Sequence, residues 1–129
     1  MAINSIVLAD DESIQRDTLS TIIQRYVSAN IRLCSNGRDA LSLIEEELPD
    51  LLITDIRMPV MDGLTAAANI RHLSNDDAKT IPIIAMTANA FDDDIEKSKA
   101  AGMNAHLTKP IDPKRMYQTL YDFIFENEA

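Results

Sequence analysis

Carboxylate, hydroxyl and ammonium side chains follow four short apolar runs of the chain. Asp10 and Asp11 come after SIVLA, and Asp55 comes after LLIT. Thr87 follows IPIIAM, and Lys109 follows AHLT. Three carboxylates brought together would repel one another, and a divalent cation with a preference for oxygen ligands, magnesium or manganese rather than zinc, would relieve that repulsion. A hydroxyl and an ammonium beside them can contact phosphoryl oxygens, so the set predicts a site for a divalent cation and a phosphoryl group.

Asp55 is the best candidate for a nucleophile within this set. A carboxylate can attack phosphorus and form an aspartyl phosphate. Asp55 stands alone at the end of the predicted central strand, whereas Asp10 and Asp11 form a pair that we expect to hold the metal.

Each of these residues also has an ordinary structural explanation. Asp10 or Asp11 could cap the helix predicted to begin near Ser13, because aspartate is a favoured N-cap residue. Thr87 could be a turn hydroxyl, and Lys109 could be a solvated cation. Their joint occurrence at matched strand ends favours a functional site, because ligands bind at the carboxyl edge of open α/β sheets.

Strand and helix patterns alternate five times along the chain. Regular (βα)5 alternation predicts an α/β fold, a doubly wound, flavodoxin-like parallel sheet with strand order 2-1-3-4-5. In that order the first and third strands are neighbours, so the three carboxylates would lie close together. The strands are predicted at residues 5–9, 31–35, 51–54, 82–86 and 105–108, and the first helix is predicted from the spacing of Ile14, Leu19, Ile22, Ile23 and Tyr26.

The predicted fourth helix, roughly residues 92–101, has no wide apolar stripe. We expect it to pack less firmly than its neighbours, which makes it a candidate for movement or partner contact. The acidic residues 92–94 would also favour the positive end of the helix dipole.

Composition limits the class of protein. The 129 residues carry a formal net charge of −9, with 46% hydrophobic and 26% charged residues. We expect one globular domain over residues 1–129, with a core over about 5–127 and no output domain. The negative charge argues against nucleic-acid binding, and the apolar stretches are too short to cross a bilayer. The single cysteine, Cys34, is expected to be a small core residue and suits a reducing cytoplasm.

The motifs together resemble those of response-regulator receiver domains in bacterial two-component and phosphorelay signalling. The resemblance rests on DDE at 10–12, DIRMPVMDGL at 55–64, MTANAF at 86–91 and KPI at 109–111. It implies that Asp55 is the phosphoacceptor in a magnesium-dependent reaction. Asp11, Asp55 and the backbone carbonyl of Arg57 would bind Mg²⁺, with Asp10 supporting the metal through water. Arg57 and Asn89 would flank the phosphoryl group.

The resemblance also implies which groups read the phosphate. Lys109 would contact the phosphoryl group, and Thr87 would turn toward it on activation. The bond from Lys109 to Pro110 is expected to be cis, and Gly63 would permit the conformation of its loop. His106 stands where the best-known members often have Tyr or Phe, so it is either a rotating switch group or a partly exposed strand histidine.

The implied phosphodonor is a phosphohistidine on a histidine kinase or a histidine phosphotransfer domain. MTANAF together with GMNAHLTKPI is similar to receivers of hybrid histidine kinases. A stand-alone regulator and a receiver within a larger membrane-bound kinase both stay open, and either would lie in the cytoplasm. The domain would catalyse only its own phosphorylation and dephosphorylation. The fourth and fifth helices could also support a weak homodimer, and direct insertion into a membrane is not expected.

Other functions fit parts of the pattern. A flavodoxin-like module that binds a nucleotide or flavin would share the fold, but no glycine-rich phosphate loop follows the first strand. A metal-dependent phosphatase with an aspartyl nucleophile would need a substrate cap, and this chain has no insertion to supply one. An interaction scaffold that is not phosphorylated would have no use for the complete acidic set with Thr87 and Lys109.

Overall fold

The computed structural model describes residues 3–88 and 92–126, and the side chains of all of these except 92–94 and 124–126. The strands are β1 (Ser5–Ala9), β2 (Asn30–Cys34), β3 (Leu51–Asp55), β4 (Ile83–Thr87) and β5 (Ala105–Thr108). The helices are α1 (Ser13–Gln24), α2 (Gly37–Glu46), α3 (Gly63–Arg71), α4 (Asp92–Ala100) and α5 (Pro113–Glu126), with a 3-10 helix at Asp76–Lys79 before β4. None of the helices within the described residues is both long and apolar enough to span a membrane.

The five parallel strands form one sheet in the order β2-β1-β3-β4-β5. This order confirms the predicted (βα)5 doubly wound, flavodoxin-like fold. β1 pairs with β2 on one side and with β3 on the other. The carboxyl ends of β1 and β3 therefore meet at one edge of the sheet, as the site prediction required.

Asp55 and Thr87 are the last residues of their strands, one residue beyond the predicted strand ends. Asp55 pairs in register with Met86 across the ladder between β3 and β4. Pro82, which was predicted to begin β4, lies just before the strand. Its backbone lacks an N–H donor, and its carbonyl accepts a hydrogen bond from the N–H of Leu52 at 3.0 Å. β2 was predicted at residues 31–35 but spans Asn30–Cys34, so both of its bounds were predicted one residue too late.

Apolar side chains alternate between the two faces of the sheet and build a core on each. One face packs against α2 and α3, and the other packs against α1 and α5. The strands β3 and β4 are buried along their whole length, as expected for central parallel strands with uninterrupted apolar runs. The first core includes Val7, Leu52, Ala85, Ala40, Ile44, Ala67 and Ile70, and the second includes Leu8, Ile53, Met86, Leu19, Ile23, Met116 and Leu120.

The helix α1 departs from its predicted apolar pattern at both ends. Ile14 is 82% exposed, so the expectation from helical spacing is wrong for this residue. Tyr26 lies beyond the end of the helix and stays 38% exposed, with its ring centroid 4.7 Å from that of Tyr117 on α5. The buried residues of α1 are Leu19 and Ile23, which pack into the second core.

The helix α4 agrees with the helix predicted over 92–101. Ser98 is 3% exposed, and its hydroxyl donates a hydrogen bond to the carbonyl of Ile95 at 2.8 Å. The looser packing expected of α4 stays a prediction. The side chains of 92–94, expected at its positive end, and Asn89, expected beside the phosphoryl group, lie outside the described residues.

Cys34 is buried at the end of β2, as predicted. Its Sγ lies 3.8 Å from the carbonyl oxygen of Leu8. Burial raises the pKa of the thiol to about 11, and the carboxylate of Asp39 adds to the shift. A thiol with this pKa stays protonated at neutral pH, so Cys34 acts as a core residue and not as a nucleophile.

Val60 adopts a disfavoured backbone conformation in the loop between β3 and α3. Its φ is 67°, and the N–H of Met61 donates to the carbonyl of Pro59 at 2.7 Å, which closes a three-residue turn around it. This left-handed region is unfavourable for a β-branched residue. Because the Val60 side chain is 77% exposed, packing provides little compensation.

The two isoleucines of α1 provide a test of which face of the helix packs. Ile23→Ala should lower the free energy of unfolding by about 2–5 kcal/mol, because it removes a fully buried side chain. Ile14→Ala, on the exposed side, should change it by about 0.5 kcal/mol or less. Urea unfolding of both variants measures the difference, and equal losses would contradict the packing described above.

The turn at Val60 provides a test of backbone strain. Val60→Asn should raise the free energy of unfolding by about 1 kcal/mol, because asparagine tolerates the left-handed region. Val60→Ala keeps a Cβ without that tolerance and should gain less. Denaturant unfolding of the three proteins compares them, and an Asn variant no more stable than the Ala variant would rule out strain at this residue.

Candidate functional site

The three predicted carboxylates lie together at the carboxyl edge of the sheet. Asp10 follows β1 directly, and Asp55 ends the neighbouring strand β3. Each of Asp10, Asp11 and Asp55 offers an oxygen that lies within 4.8 Å of the oxygens offered by the other two. Asp10 and Asp55 are buried, whereas Asp11 is exposed. The strand order thus produces a compact acidic cluster with one side open to solvent.

Lys109 projects into this cluster from the residue after β5. Its Nζ lies 2.5 Å from Oδ1 of Asp55 and 3.8 Å from Oδ2 of Asp10. The same Nζ donates a hydrogen bond to Oε1 of Gln15 on α1 at 2.9 Å. The alternative explanation of Lys109 as a solvated cation is therefore wrong. The peptide bond between Lys109 and Pro110 is cis, as expected.

Asp10 divides its two carboxylate oxygens between the backbone and the site. Oδ1 accepts a hydrogen bond from the N–H of Glu12 at 2.9 Å. Glu12 is the N-cap residue of α1, and no side chain caps this helix, so the alternative explanation of Asp10 or Asp11 as its cap is wrong. The bond to Glu12 fixes the carboxylate of Asp10 so that its other oxygen remains available to the site.

Two oxygens of the cluster have the property expected of metal ligands. Within the described part of the chain, Oδ2 of Asp10 and Oδ2 of Asp55 are buried and accept no hydrogen bond. A buried carboxylate oxygen without a partner is unfavourable, because it has lost its contact with water. A hard divalent cation would supply the missing partner for both, so the residues fit Mg²⁺.

Asp55 has a strongly shifted pKa. Burial and the nearby carboxyl of Asp10 together raise the pKa of its carboxyl to about 7. The ammonium of Lys109 acts in the opposite direction. Without a bound metal, desolvation and the carboxyl of Asp10 thus raise the pKa of Asp55 more than the ammonium of Lys109 lowers it.

Gly63 is needed for a close approach, and not for the loop conformation predicted for it. It is the first residue of α3, and its N–H donates to the carbonyl of Ile56 at 2.8 Å. A Cβ at this position would collide with the backbone carbonyl oxygen of Asp55. The absence of a side chain therefore lets α3 begin directly against the strand end that carries Asp55.

Thr87 and His106 lie on the two strands beyond β3. Thr87 is 6% exposed at the end of β4, and its carbonyl accepts a hydrogen bond from the N–H of Lys109 at 2.8 Å. His106 lies on β5 in register with Ala85 and is partly exposed. The movement of Thr87 and a switch role of His106 stay predictions.

Arg57 follows the end of β3 by two residues, and its side chain is exposed. The use of its backbone carbonyl as a metal ligand stays a prediction.

Gln15 contacts the cluster, although it was missed as a site residue. The sequence pattern drew attention to Ile14 as an apolar helix residue and gave no weight to its uncharged neighbour. The available signal was position, because the first turn of α1 follows Asp10 and Asp11 at the carboxyl edge. Any polar residue in that turn is expected to lie near the site, because the helix begins at the edge of the sheet that carries the carboxylates.

Comparisons with known proteins identify relatives that align with most of this chain. The polar-differentiation response regulator DivK of Brucella anthropi is 30% identical over 120 residues, which cover 93% of this chain and 95% of that protein. Hybrid signal transduction histidine kinase I of Dictyostelium discoideum is 32% identical over 120 residues, which cover 89% of this chain but 7% of that kinase. The chain thus corresponds to nearly the whole of one relative and to a small part of the other.

A solved structure shows the same fold and a metal. The receiver domain of sensor histidine kinase PA1611 from Pseudomonas aeruginosa, with a magnesium ion coordinated in its active site cleft, superposes with a TM-score of 0.84 at 30% identity. The alignment covers 95% of this chain and 98% of that domain. Residues 6–121 also match the family model of the response regulator receiver domain. The chain therefore belongs to the response regulator receiver domains, the phosphoryl-accepting switches of two-component signalling.

Proposed function

We propose that Asp55 is the phosphoacceptor of this receiver domain and that its donor is a phosphohistidine on a histidine kinase or a phosphotransfer domain. The contact between Asp55 and Lys109 within the acidic cluster carries this assignment. Asp10 commits one oxygen to the backbone of Glu12, and Asp11 is exposed. Asp55 combines burial, an acidic neighbourhood and direct contact with an ammonium that can neutralise a phosphoryl oxygen.

The proposed transfer is a displacement at phosphorus. A carboxylate oxygen of Asp55 forms the new P–O bond, and the P–N bond of the donor breaks with its electron pair returning to the imidazole nitrogen. The ammonium of Lys109 stabilises charge on a phosphoryl oxygen during the transfer. To end the signal, water would attack the phosphorus of the aspartyl phosphate and release phosphate and the Asp55 carboxylate. The domain would in this way also dephosphorylate itself.

Mg²⁺ is the proposed metal of this site. Oδ2 of Asp10 and Oδ2 of Asp55 accept no hydrogen bond in the described part of the chain, and Asp11 offers a third carboxylate from the solvent side. The backbone carbonyl of Arg57 and intervening water would complete the set. When bound, the cation would neutralise charge on the carboxylates and on phosphoryl oxygens. Mn²⁺ has a similar preference for oxygen ligands and is proposed as a substitute.

Phosphorylation would exchange one set of contacts for another. Lys109 now pairs with the carboxylate of Asp55, and it would pair with a phosphoryl oxygen afterwards. Thr87 would turn its hydroxyl toward the added negative charge, and the two states would differ in their population of pre-existing arrangements. We propose that α4, β5 and α5 form the output surface, with His106 on β5 as part of it.

The partners follow from the chemistry of transfer. A stand-alone regulator and a receiver within a larger kinase both need a histidine kinase or a phosphotransfer domain as donor. Either arrangement would place this domain in the cytoplasm.

Phosphorylation of Asp55 can be tested by intact-mass measurement with acetyl phosphate and Mg²⁺. The wild-type protein should gain about 80 Da, the mass of one phosphoryl group, and the gain should disappear when the metal is chelated. Asp55→Asn should show no gain, because the nucleophilic carboxylate is gone. Asp17→Asn, which changes an exposed aspartate of α1, is the matched control and should be phosphorylated like the wild type. An unchanged adduct in Asp55→Asn would contradict the assignment.

The pKa of Asp55 predicts how stability depends on pH in the metal-free protein. The folded carboxyl has a pKa of about 7, whereas an unfolded aspartate titrates near 4. Between these values the folded state keeps a proton that the unfolded state has released. The free energy of unfolding should therefore fall as the pH rises from about 4 to about 7, by at most about 4 kcal/mol.

Urea unfolding of wild type and Asp55→Asn at pH 5 and pH 8, in chelator, measures this contribution. The variant cannot titrate at residue 55, so its advantage over wild type should grow with pH. Saturating Mg²⁺ should remove most of this pH-dependent difference in stability between wild type and Asp55→Asn, because the cation stabilises the ionised carboxylate of the wild type. Parallel stability profiles for the two proteins in chelator would contradict the raised pKa.

A further inference from the structure

We propose that Gln15 is a positioning residue for Lys109, so that a neutral amide on α1 holds the ammonium where the phosphoryl group arrives. This inference rests on the proposed function of Asp55 and Lys109. The hydrogen bond from Nζ of Lys109 to Oε1 of Gln15, at 2.9 Å, links residues that are 94 positions apart in the chain. It joins the end of β5 to the first turn of α1.

The partners of the ammonium explain why this bond matters. Lysine has three N–H donors on a flexible four-carbon stem, so one contact leaves its head free to swing. Asp55 takes one donor at 2.5 Å and Gln15 takes another at 2.9 Å, whereas Asp10 at 3.8 Å is beyond hydrogen-bonding distance. Gln15 is therefore the second anchor of the ammonium.

The neutrality of Gln15 suits a position beside a phosphoryl site. On phosphorylation, the Asp55 contact of Lys109 must give way to a phosphoryl oxygen, while the Gln15 contact need not change. A carboxylate at position 15 would add a fourth negative charge to the cluster and would compete with the phosphoryl group for the ammonium. The amide oxygen accepts the hydrogen bond without that competition.

The anchor itself is held firmly. Leu19 and Ile23 bury the inner face of α1 in the second core. Arg16, which follows Gln15 in the chain, donates a hydrogen bond from Nη1 to the carbonyl of Asp10 at 2.8 Å. The first turn of α1 is thus fixed to the backbone that also carries the acidic pair, so Gln15 places Lys109 relative to the metal ligands.

The deciding comparison uses the two glutamines at opposite ends of α1. Gln15→Met keeps the length of the side chain and removes the strong acceptor, and Gln24→Met makes the same change at the exposed end of the helix. Phosphorylation by acetyl phosphate with Mg²⁺ should be slower by about 10- to 100-fold in Gln15→Met, the effect of one lost hydrogen bond to a charged group. Gln24→Met should match the wild type. Mg²⁺ affinity by calorimetry should be the same in all three proteins.

A double-mutant cycle separates positioning from a general structural role. If Gln15 acts through Lys109, Gln15→Met should have no further effect on the rate in a Lys109→Ala background. An equal slowing in both backgrounds, or a Gln15→Met rate equal to that of the wild type, would overturn the proposal.

A direct readout of the ammonium does not depend on phosphorylation. Nitrogen NMR of the Lys109 side chain should show faster exchange of the Nζ protons with water in Gln15→Met than in wild type or Gln24→Met. Unchanged exchange would overturn the proposal even where Lys109→Ala reacts too slowly to be timed. If Nζ exchange is faster in Gln15→Met than in wild type but the wild-type protein forms no phosphoryl adduct, the function proposed for Asp55 is rejected. The contact between Gln15 and Lys109 is then still established.

Discussion

Repulsion among three carboxylates at the carboxyl edge of one sheet is the constraint on which this structure depends. Asp10 and Asp55 are withdrawn from water, and burial together with Asp10 raises the pKa of Asp55 to about 7. The ammonium of Lys109 compensates only part of this charge. The arrangement is therefore unfavourable as a resting structure and favourable as a receptor for positive charge, which suits the Mg²⁺ proposed for this site.

The fold supplies the means to impose that repulsion. Two apolar cores, one on each face of the sheet, pack against β1 and β3, which pair side by side up to Ala9 and Thr54. Gly63 allows α3 to begin against the carbonyl of Asp55, and the backbone of Glu12 fixes the carboxylate of Asp10. Packing of uncharged residues thus provides the free energy that keeps the charges together.

Most of the fold and the acidic cluster could be predicted from the sequence, because periodicity and strand-end position depend on local patterns. The errors arose where the answer depends on tertiary contacts. Helical spacing grouped Ile14 with the core residues, although only packing decides which side of a first turn is buried. The need for glycine at position 63 could not be predicted, because it arises from contact with the backbone of Asp55 in another segment. The role of Gln15 could not be predicted because its partner, Lys109, is 94 residues away in the chain.

The order of the strands has a mechanical consequence. Asp55 ends β3, which has a neighbour on each side, while Lys109 follows β5, which is paired on one side alone within the sheet. Stiffness should therefore decrease across the sheet from Asp55, the proposed nucleophile, toward the groups proposed to respond to it. A rigid centre keeps the reacting atoms in register, and a compliant margin can deform by small amounts under a change of charge. The proposed chemistry and response would in this way fall in regions of different elasticity in one continuous sheet.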